Sequence, residues 1–578
     1  MRGLPAMLAV ASAILVPLAA LVAREAAGTM DPPAPAPARS VALLRDAEPP
    51  LAFHWKARGP AERAWESAPP KTCRCGEVLP EGARFCPKCG AEVPKPPPAP
   101  ARCSCGELLP EGARFCPKCG AKVQGAAPAP APTPAPTPAA PEEDLSPEAM
   151  ADELIRAIEP LRQDRFAAPP LRRVLGAAEG RRLLEAELDG RYAGSQPNYV
   201  EACARLVGLI PPGCPVRQTY LDLLQSDVHA LYVDTTRTLN LVQPSGQSAP
   251  VLARRLAIVQ ELANALDHQK VFGGVNRSSL ELRVGRTHDA TVALMAVIEG
   301  SGTLLTRRYL AQAQQAGKIS RSATLQYAEF EETRNRRFLA QPVYFHAFLG
   351  AHVCGMNFLV RGQPGSAIAD GKATGEEELR AVAKDLPTTT EEVLHPEKFF
   401  DPQARDHPIA IQDPSVERSF ALVGGWNVAF RDTFGEMFCA LLANPKDPRA
   451  SPMALTNPAH YTNEAAAGWG GDRFYLLVKA ADLRLPLFGG FAPGPARDLG
   501  AGAATGVWVT AWDTAKDRDE FIRAYEANTP LAGRAVERFG DRTAVFLFDF
   551  GAAERETILQ RMRSAPPTLM RAGASVPL

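Results

Sequence analysis

LARRLAIVQELANALDHQ (residues 252–269) and HDATVALMAVIEGSGTLLTRRYL (residues 288–310) read as two consecutive helices, and the fold reading turns on them. Toward the N-terminus, Ser146-Pro147 opens the folded region, with serine suited to a helix N-cap and proline to the first helical position. Met150, Leu154, Ile158 and Leu161 then share one helical face. Further amphipathic helices are expected around 171–188 and 198–208. VHALYV (228–233) and LNLV (239–242) read as strands separated by a polar turn. Beyond residue 472 the pattern alternates: FYLLV, GVWVTAW, a helix over 515–527, TAVFLFDF (543–550) and a helix over 552–564. The expectation is an α+β domain over 146–578, helix-rich in its N-terminal half and mixed sheet and helix in its C-terminal part.

The chain has 578 residues, enough for several domains at roughly 100–200 residues each. Lys+Arg and Asp+Glu are both 64, so the formal net charge is zero. Nucleic-acid binders usually carry a basic surplus that neutralises phosphates, so this balance argues against nucleic acid as a partner. A hydrophobic fraction of 46% supports a real buried core.

Leu4 to Ala23 is apolar almost throughout, preceded by Arg2 and followed by Arg24-Glu25. Its length fits either a cleaved signal peptide or a membrane anchor over residues 1–28. Either reading makes the protein membrane-anchored or secreted, with the large domain outside the cytoplasm. Pro/Ala tracts follow: DPPAPAPARS (31–40), PKPPPAPA (94–101) and AAPAPAPTPAPTPAAP (126–141). Such tracts favour extended polyproline II and act as semi-rigid spacers. They define linkers at 29–70, 95–101 and 124–145.

Between the spacers lies a repeat with a period of 30: CRCGEVLPEGARFCPKCGAEV from Cys73 and CSCGELLPEGARFCPKCGAKV from Cys103. The copies differ at three of 21 positions. Each offers four thiolates: Cys73, Cys75, Cys86 and Cys89, then Cys103, Cys105, Cys116 and Cys119. Zinc takes four such soft ligands tetrahedrally at about 2.3 Å from each sulfur. Two residues between the cysteines of CPKCG let both sulfurs turn to one point, and the following glycine lets the backbone double back. A module of about 20 residues cannot build a sufficient core alone, so metal supplies much of its folding energy. The alternative is a disulfide in each copy, in an oxidising compartment. The pattern resembles the zinc ribbons found singly or doubly in many bacterial and archaeal proteins. It departs in its first knuckle, Cys-x-Cys-Gly instead of Cys-x-x-Cys-Gly, with Thr72 and Arg102 at the family's first cysteine. The expectation is one structural Zn2+ in each of two ribbons, 71–94 and 102–123, with no open coordination position for catalysis.

The helix pair quoted first resembles a family of predicted bacterial zinc metallopeptidases of the zincin type. That family carries His-Glu-Leu-x-His-Ala-Leu-Gln-Asp-Gln on one helix and Glu-Gly-Asp-Ala on the next. In zincins the two histidines bind zinc, the adjacent glutamate is general base and a downstream glutamate is third ligand. Here Gln260 and Asn264 stand at the histidine positions, Glu261 keeps the general-base position and Glu299 keeps the third-ligand position. Carboxamides are far weaker zinc ligands than imidazole. The resemblance therefore implies a degenerate site with no catalytic zinc. TTTEEVLHPEKF (388–399), GEMFCALL (435–442), AAAGWGGDRFYLL (465–477) and WVTAWDTAKDRDEFIRAY (508–525) resemble later blocks of the same family.

Other residues take plainer readings. His268 is expected at a surface or cap, and His395 to fix a turn. Trp469 with Gly470-Gly471 reads as a packed loop. Cys203 and Cys214 are a pairing left open to the structure. The leading functional expectation is a non-catalytic, membrane-directed zinc-ribbon protein whose large domain binds a protein or peptide. The alternatives are an active zinc metallopeptidase with non-standard ligands and a purely structural adaptor.

Overall fold

Burial on all sides turns the two quoted segments into the axis of the large domain. The computed structural model describes residues 145–571, apart from 192–195, 226–227, 244–248, 445–450, 480–498, 500–501 and 530–533. The N-terminal apolar segment, the tethers and both ribbons lie outside the described residues. Among the described residues, no helix is long and apolar enough to cross a membrane.

The elements that build the core are, in chain order, α1 (Pro147–Arg162), β1 (Leu171–Gly176), β2 (Ala230–Val233), β3 (Thr238–Gln243), α2 (Val251–Lys270), α3 (Arg277–Val284), α4 (His288–Gln315) and α5 (His346–Leu359). Then come α6 (Thr390–Leu394), β4 (Ile409–Ile411), β5 (Trp426–Asp432), α7 (Gly435–Ala443), β6 (Trp469–Lys479), β7 (Ala504–Trp512), α8 (Ala515–Asn528), β8 (Ala535–Phe539), β9 (Thr543–Phe548), α9 (Ala552–Ser564) and β10 (Leu569–Arg571). The α+β expectation holds for this region.

Helix α4 has 28 residues and is buried along most of its length, from Asp289 to Ala313. Thr287 caps it by accepting from the Ala290 N–H. Two glycines bring α4 against α5 at backbone contact. A Cβ on Gly355 would stand 1.8 Å from the Ala296 carbonyl oxygen, and one on Gly300 would stand 2.2 Å from the Gly355 carbonyl carbon.

Three sheets are formed among the described residues. Strand β3 pairs in parallel with β1 and antiparallel with β2. Strands β4 and β10 form a short antiparallel pair. The largest sheet is antiparallel, in the order β5-β6-β7-β9-β8. Its alternation splits the core in two. Phe474, Trp508 and Phe546 join the cluster around α4, α5 and α7. Tyr475, Val507, Val509 and Val545 face the other way, toward Ile558 and Met562 of α9. A third cluster packs Leu154 and Ile158 of α1 against Leu256 and Val259 of α2 and Leu305 and Tyr309 of α4.

Two expectations need correction, and one open question is answered. Residues 171–176 are strand, and the helix starts only at Ala177, because pairing of Leu171–Gly176 with Thr238–Gln243 overrides the local helical pattern. Trp469, Gly470 and Gly471 open β6 instead of forming a loop. A Cβ on Gly471 would lie 2.1 Å from the Ile409 carbonyl, so glycine is what lets β4 approach β6 there. Cys203 and Cys214 are both free, the first buried and the second half-buried.

Candidate functional site

Helix α2 carries Gln260, Glu261 and Asn264 within one and a half turns, and α4 carries Glu299 opposite them. All four are buried. The resemblance-derived set therefore does meet at one place, and the structure shows what holds it together.

Glu299 is the acceptor at the centre. Its Oε1 takes a 2.9 Å hydrogen bond from Arg277 Nη2, and its Oε2 takes contacts of 3.4 Å from Gln260 Nε2 and from Asn264 Nδ2. Gln260 Nε2 also donates to the Glu299 carbonyl oxygen at 3.0 Å. A backbone carbonyl can only accept, so this bond fixes which end of the Gln260 amide faces Glu299. Its other end, Oε1, accepts from Thr306 Oγ1 at 3.3 Å. Gly302 leaves the room for both amides. A Cβ there would stand 2.5 Å from Gln260 Nε2 and 3.2 Å from Asn264 Oδ1.

Arg277 is the first residue of α3, whose N-cap Asn276 accepts from the Ser279 N–H. The Arg277 N–H donates to Asp234 Oδ2 at 2.7 Å, which ties α3 to the turn after β2. The guanidinium is then delivered to Glu299 with only 8% of the residue exposed. Buried charges of this kind persist when paired.

Glu261 is fully buried, and its Oε2 accepts from the Tyr232 N–H at 2.8 Å. Burial pushes its carboxyl well above the usual range, the nearby Glu299 charge adds to that, and the Tyr232 N–H, Arg277 and Asn264 oppose it. His268 does not sit at the surface. It is buried, and its Nδ1 lies 2.8 Å from the Tyr232 hydroxyl. Burial, reinforced by Asp234, raises the Tyr232 phenol well above its ordinary value, so it remains protonated.

A half-open cavity of about 40 Å³ adjoins this centre, bounded on its polar side by Tyr232, Asp234, Asn264, His268 and Arg277. A larger cleft of about 480 Å³, lined by Arg361, Glu397, Phe400 and Asp401, shares no lining residue with it.

The residues do not fit a catalytic zinc ion. Two carboxamides turn N–H groups toward Glu299, where a metal would need lone pairs, and a guanidinium already supplies the positive charge. Among the described residues, no three His, Cys, Asp or Glu side chains cluster closely enough to hold a metal.

Arg277, Tyr232 and Asp234 escaped the sequence reading. They lie on other elements, and no spacing rule links a strand end and a short helix to the helix pair. His395 stands between α6 and the Pro396–Phe400 helix without a side-chain cap bond, and its Nε2 reaches the buried Glu436 Oε1 at 2.9 Å.

A family model described as a domain of unknown function (DUF8575) matches residues 427–564, which span β5 to α9. The metallopeptidase likeness of the helix pair receives no family match. No curated protein and no solved structure matches the chain. A double zinc ribbon model matches residues 72–120, which contain all eight cysteines of the repeat. The chain therefore carries a double zinc ribbon, a zinc-binding module, at residues 72–120.

Proposed function

We propose that the chain is a membrane-directed zinc-ribbon protein whose large domain, 146–578, is a non-catalytic relative of zincin peptidases that binds a peptide or protein. The observation that carries this reading is the closure of Gln260, Asn264 and Arg277 upon Glu299. A zincin needs an electrophilic ion and an ionised general base beside it. Here the cation is a guanidinium, which has no vacant orbital to offer a water molecule. Glu261, at the general-base position, is held toward its neutral form by burial.

The two ribbons would hold one Zn2+ each, through Cys73, Cys75, Cys86 and Cys89, and through Cys103, Cys105, Cys116 and Cys119. A closed four-thiolate set supplies folding energy and a rigid surface, and leaves no coordination site for substrate. The ribbons thus serve to recruit or position a partner, and the apolar N-terminal segment directs the assembly to the membrane or beyond it.

Metal content tests the reading. The full chain is expected to hold about two zinc ions, one for each four-thiolate site. A full-length variant with all eight ribbon cysteines replaced by serine is expected to hold none. One tightly held zinc in that variant, accompanied by chelator-sensitive proteolysis, would establish an active peptidase with non-standard ligands instead.

A further inference from the structure

We propose that the turn FALVGGW (420–426), between the Asp413–Phe420 helix and β5, is a contact site for an anionic lipid bilayer. None of its side chains is charged, yet Ala421, Leu422, Gly424 and Gly425 are exposed. Leu422 is 96% exposed and holds a φ of 63°. Asparagine or aspartate would take that left-handed backbone with less strain and would keep its water. A leucine there is unfavourable on both counts, and strain of this kind persists where a surface has a use.

The backbone of the turn is already prepared to leave water. The Phe420 carbonyl accepts from the Val423 N–H at 3.0 Å and the Val423 carbonyl from the Trp426 N–H at 3.2 Å. The Gly425 carbonyl accepts from Asn427 Nδ2 at 3.2 Å. The Ala421 carbonyl accepts from Arg561 Nη1 at 2.7 Å, and the Gly424 carbonyl from Lys479 Nζ. Five of the six carbonyls from Phe420 to Gly425 therefore have donors. A carbonyl that keeps its donor loses little when water is stripped from it, which is the condition for entering an apolar medium.

The same two donors set the charge of the partner. Arg561 of α9 and Lys479 of β6 flank the turn, and among the described residues neither ends on a carboxylate. Lys479 Nζ instead stands 3.6 Å from the centre of the Trp426 ring. Glu554 also reaches the turn, but its oxygens accept from Trp426 Nε1 at 3.2 Å and from the Gly551 N–H at 3.0 Å. Two cations against one carboxylate favour an anionic surface, and the leucine between them favours apolar depth beneath it. A bilayer offers both without a preformed pocket, which suits a single projecting side chain. The inference goes beyond the N-terminal apolar segment and does not rest on it.

The test uses the full chain carrying Leu422→Trp and vesicles whose acyl chains bear bromine, a quencher that acts only near contact. The signal is the emission that Leu422→Trp adds to that of the parent. It is expected to be quenched by vesicles that contain phosphatidylserine and not by vesicles of phosphatidylcholine alone. An N-terminal anchor would hold the chain to both vesicle types alike, so the difference between them reads the turn. Lys479→Gln and Arg561→Gln, each added to Leu422→Trp, are expected to raise the lipid concentration for half quenching about fivefold apiece. Leu422→Asn, without the tryptophan, separates lost contact from lost folding. Its thermal midpoint is expected at or above that of the parent. Phosphatidylserine vesicles are expected to slow hydrogen exchange at 421–425 in the parent and not in Leu422→Asn. Equal quenching by both vesicle types, or by neither, overturns the proposal. So does a half-quenching point that neither cation variant moves, or parent-like slowing of exchange in Leu422→Asn. A blue shift of the added emission that grows with protein concentration in the absence of lipid assigns the turn to a second copy of the chain and overturns it as well.

Discussion

Gly302 shows how narrowly the polar centre is built. Any side chain there would enter the space of Gln260 Nε2 and Asn264 Oδ1. Gly302→Ala is expected to lower stability by about 1–3 kcal/mol, the usual cost of overpacking a filled core, read as a lower urea midpoint at unchanged slope. Glu261 makes a prediction of opposite sign. Its folded-state carboxyl is raised far above the unfolded value, so above the unfolded value the unfolded chain binds fewer protons than the folded one. Its contribution is therefore fully present at acid pH and is lost as pH climbs from the unfolded value through the folded one. Glu261→Gln keeps an oxygen for the Tyr232 N–H and removes the titration. The variant is expected to match the parent near pH 4 and to be the more stable of the two at pH 8, measured as the difference in thermal midpoint. The four positions Gln260, Glu261, Asn264 and Glu299 were legible in the sequence only through the resemblance to the zincin-type family, whose motif spans the same two helices. Arg277 was not legible, because a lone arginine at the start of a short helix carries no periodic signal and gains its meaning only from Glu299, brought near by folding.

Among the elements, α1, α2 and α4 are stapled by a second buried cluster that no motif announced. Arg162, at the end of α1, donates to Asp267 Oδ2 at 2.9 Å and to Ser301 Oγ at 2.7 Å, and pairs with Glu376 Oε1 at 3.4 Å. Arg308 reaches the same Glu376 oxygen at 2.6 Å and the Leu161 carbonyl at 2.6 Å. Burial lifts the Asp267 carboxyl to about 6, with Arg162 pulling it down. Removing Arg162 leaves two buried carboxylates with one fewer cation, so Arg162→Met is expected to cost about 3–5 kcal/mol in chemical denaturation. The α4–α5 crossing rests on a different device. Gly355 and Gly300 remove every side-chain atom from the contact, and Gly355→Ala would drive a methyl group into the Ala296 carbonyl. Periodicity gave α1, α2, α4, α8 and α9 and the strands β2, β3, β6, β7 and β9, whereas α3, α5, β4 and β5 had no reading in the sequence. The strand at Leu171–Gly176 was not readable, because its partner, Thr238–Gln243, lies far along the chain and a six-residue stretch has no period long enough to outvote a neighbouring helix.

At the scale of the whole molecule, two kinds of stability sit in one chain. The large domain is held by three hydrophobic clusters and buried ion networks formed after residue 145. The double ribbon matched at 72–120 is expected instead to draw its folding free energy from metal, since a module of about 20 residues buries too little surface. The sixteen-residue tract AAPAPAPTPAPTPAAP, 126–141, separates the two in sequence and offers little apolar surface to couple them. Heating the full chain should therefore reveal one cooperative transition that belongs to the large domain and does not respond to metal. A strong zinc chelator is expected to leave that transition within about 1 °C, since a group that binds only the ribbons stabilises only what unfolds with them. The same chelator is expected to make the segment from Cys73 to Cys119 sensitive to limited proteolysis, with the cut sites read by mass spectrometry and zinc restoring resistance. A chelator-induced fall in the main transition would mean that the ribbons and the large domain unfold as one unit, and the zinc ions would then be part of the large domain's stability.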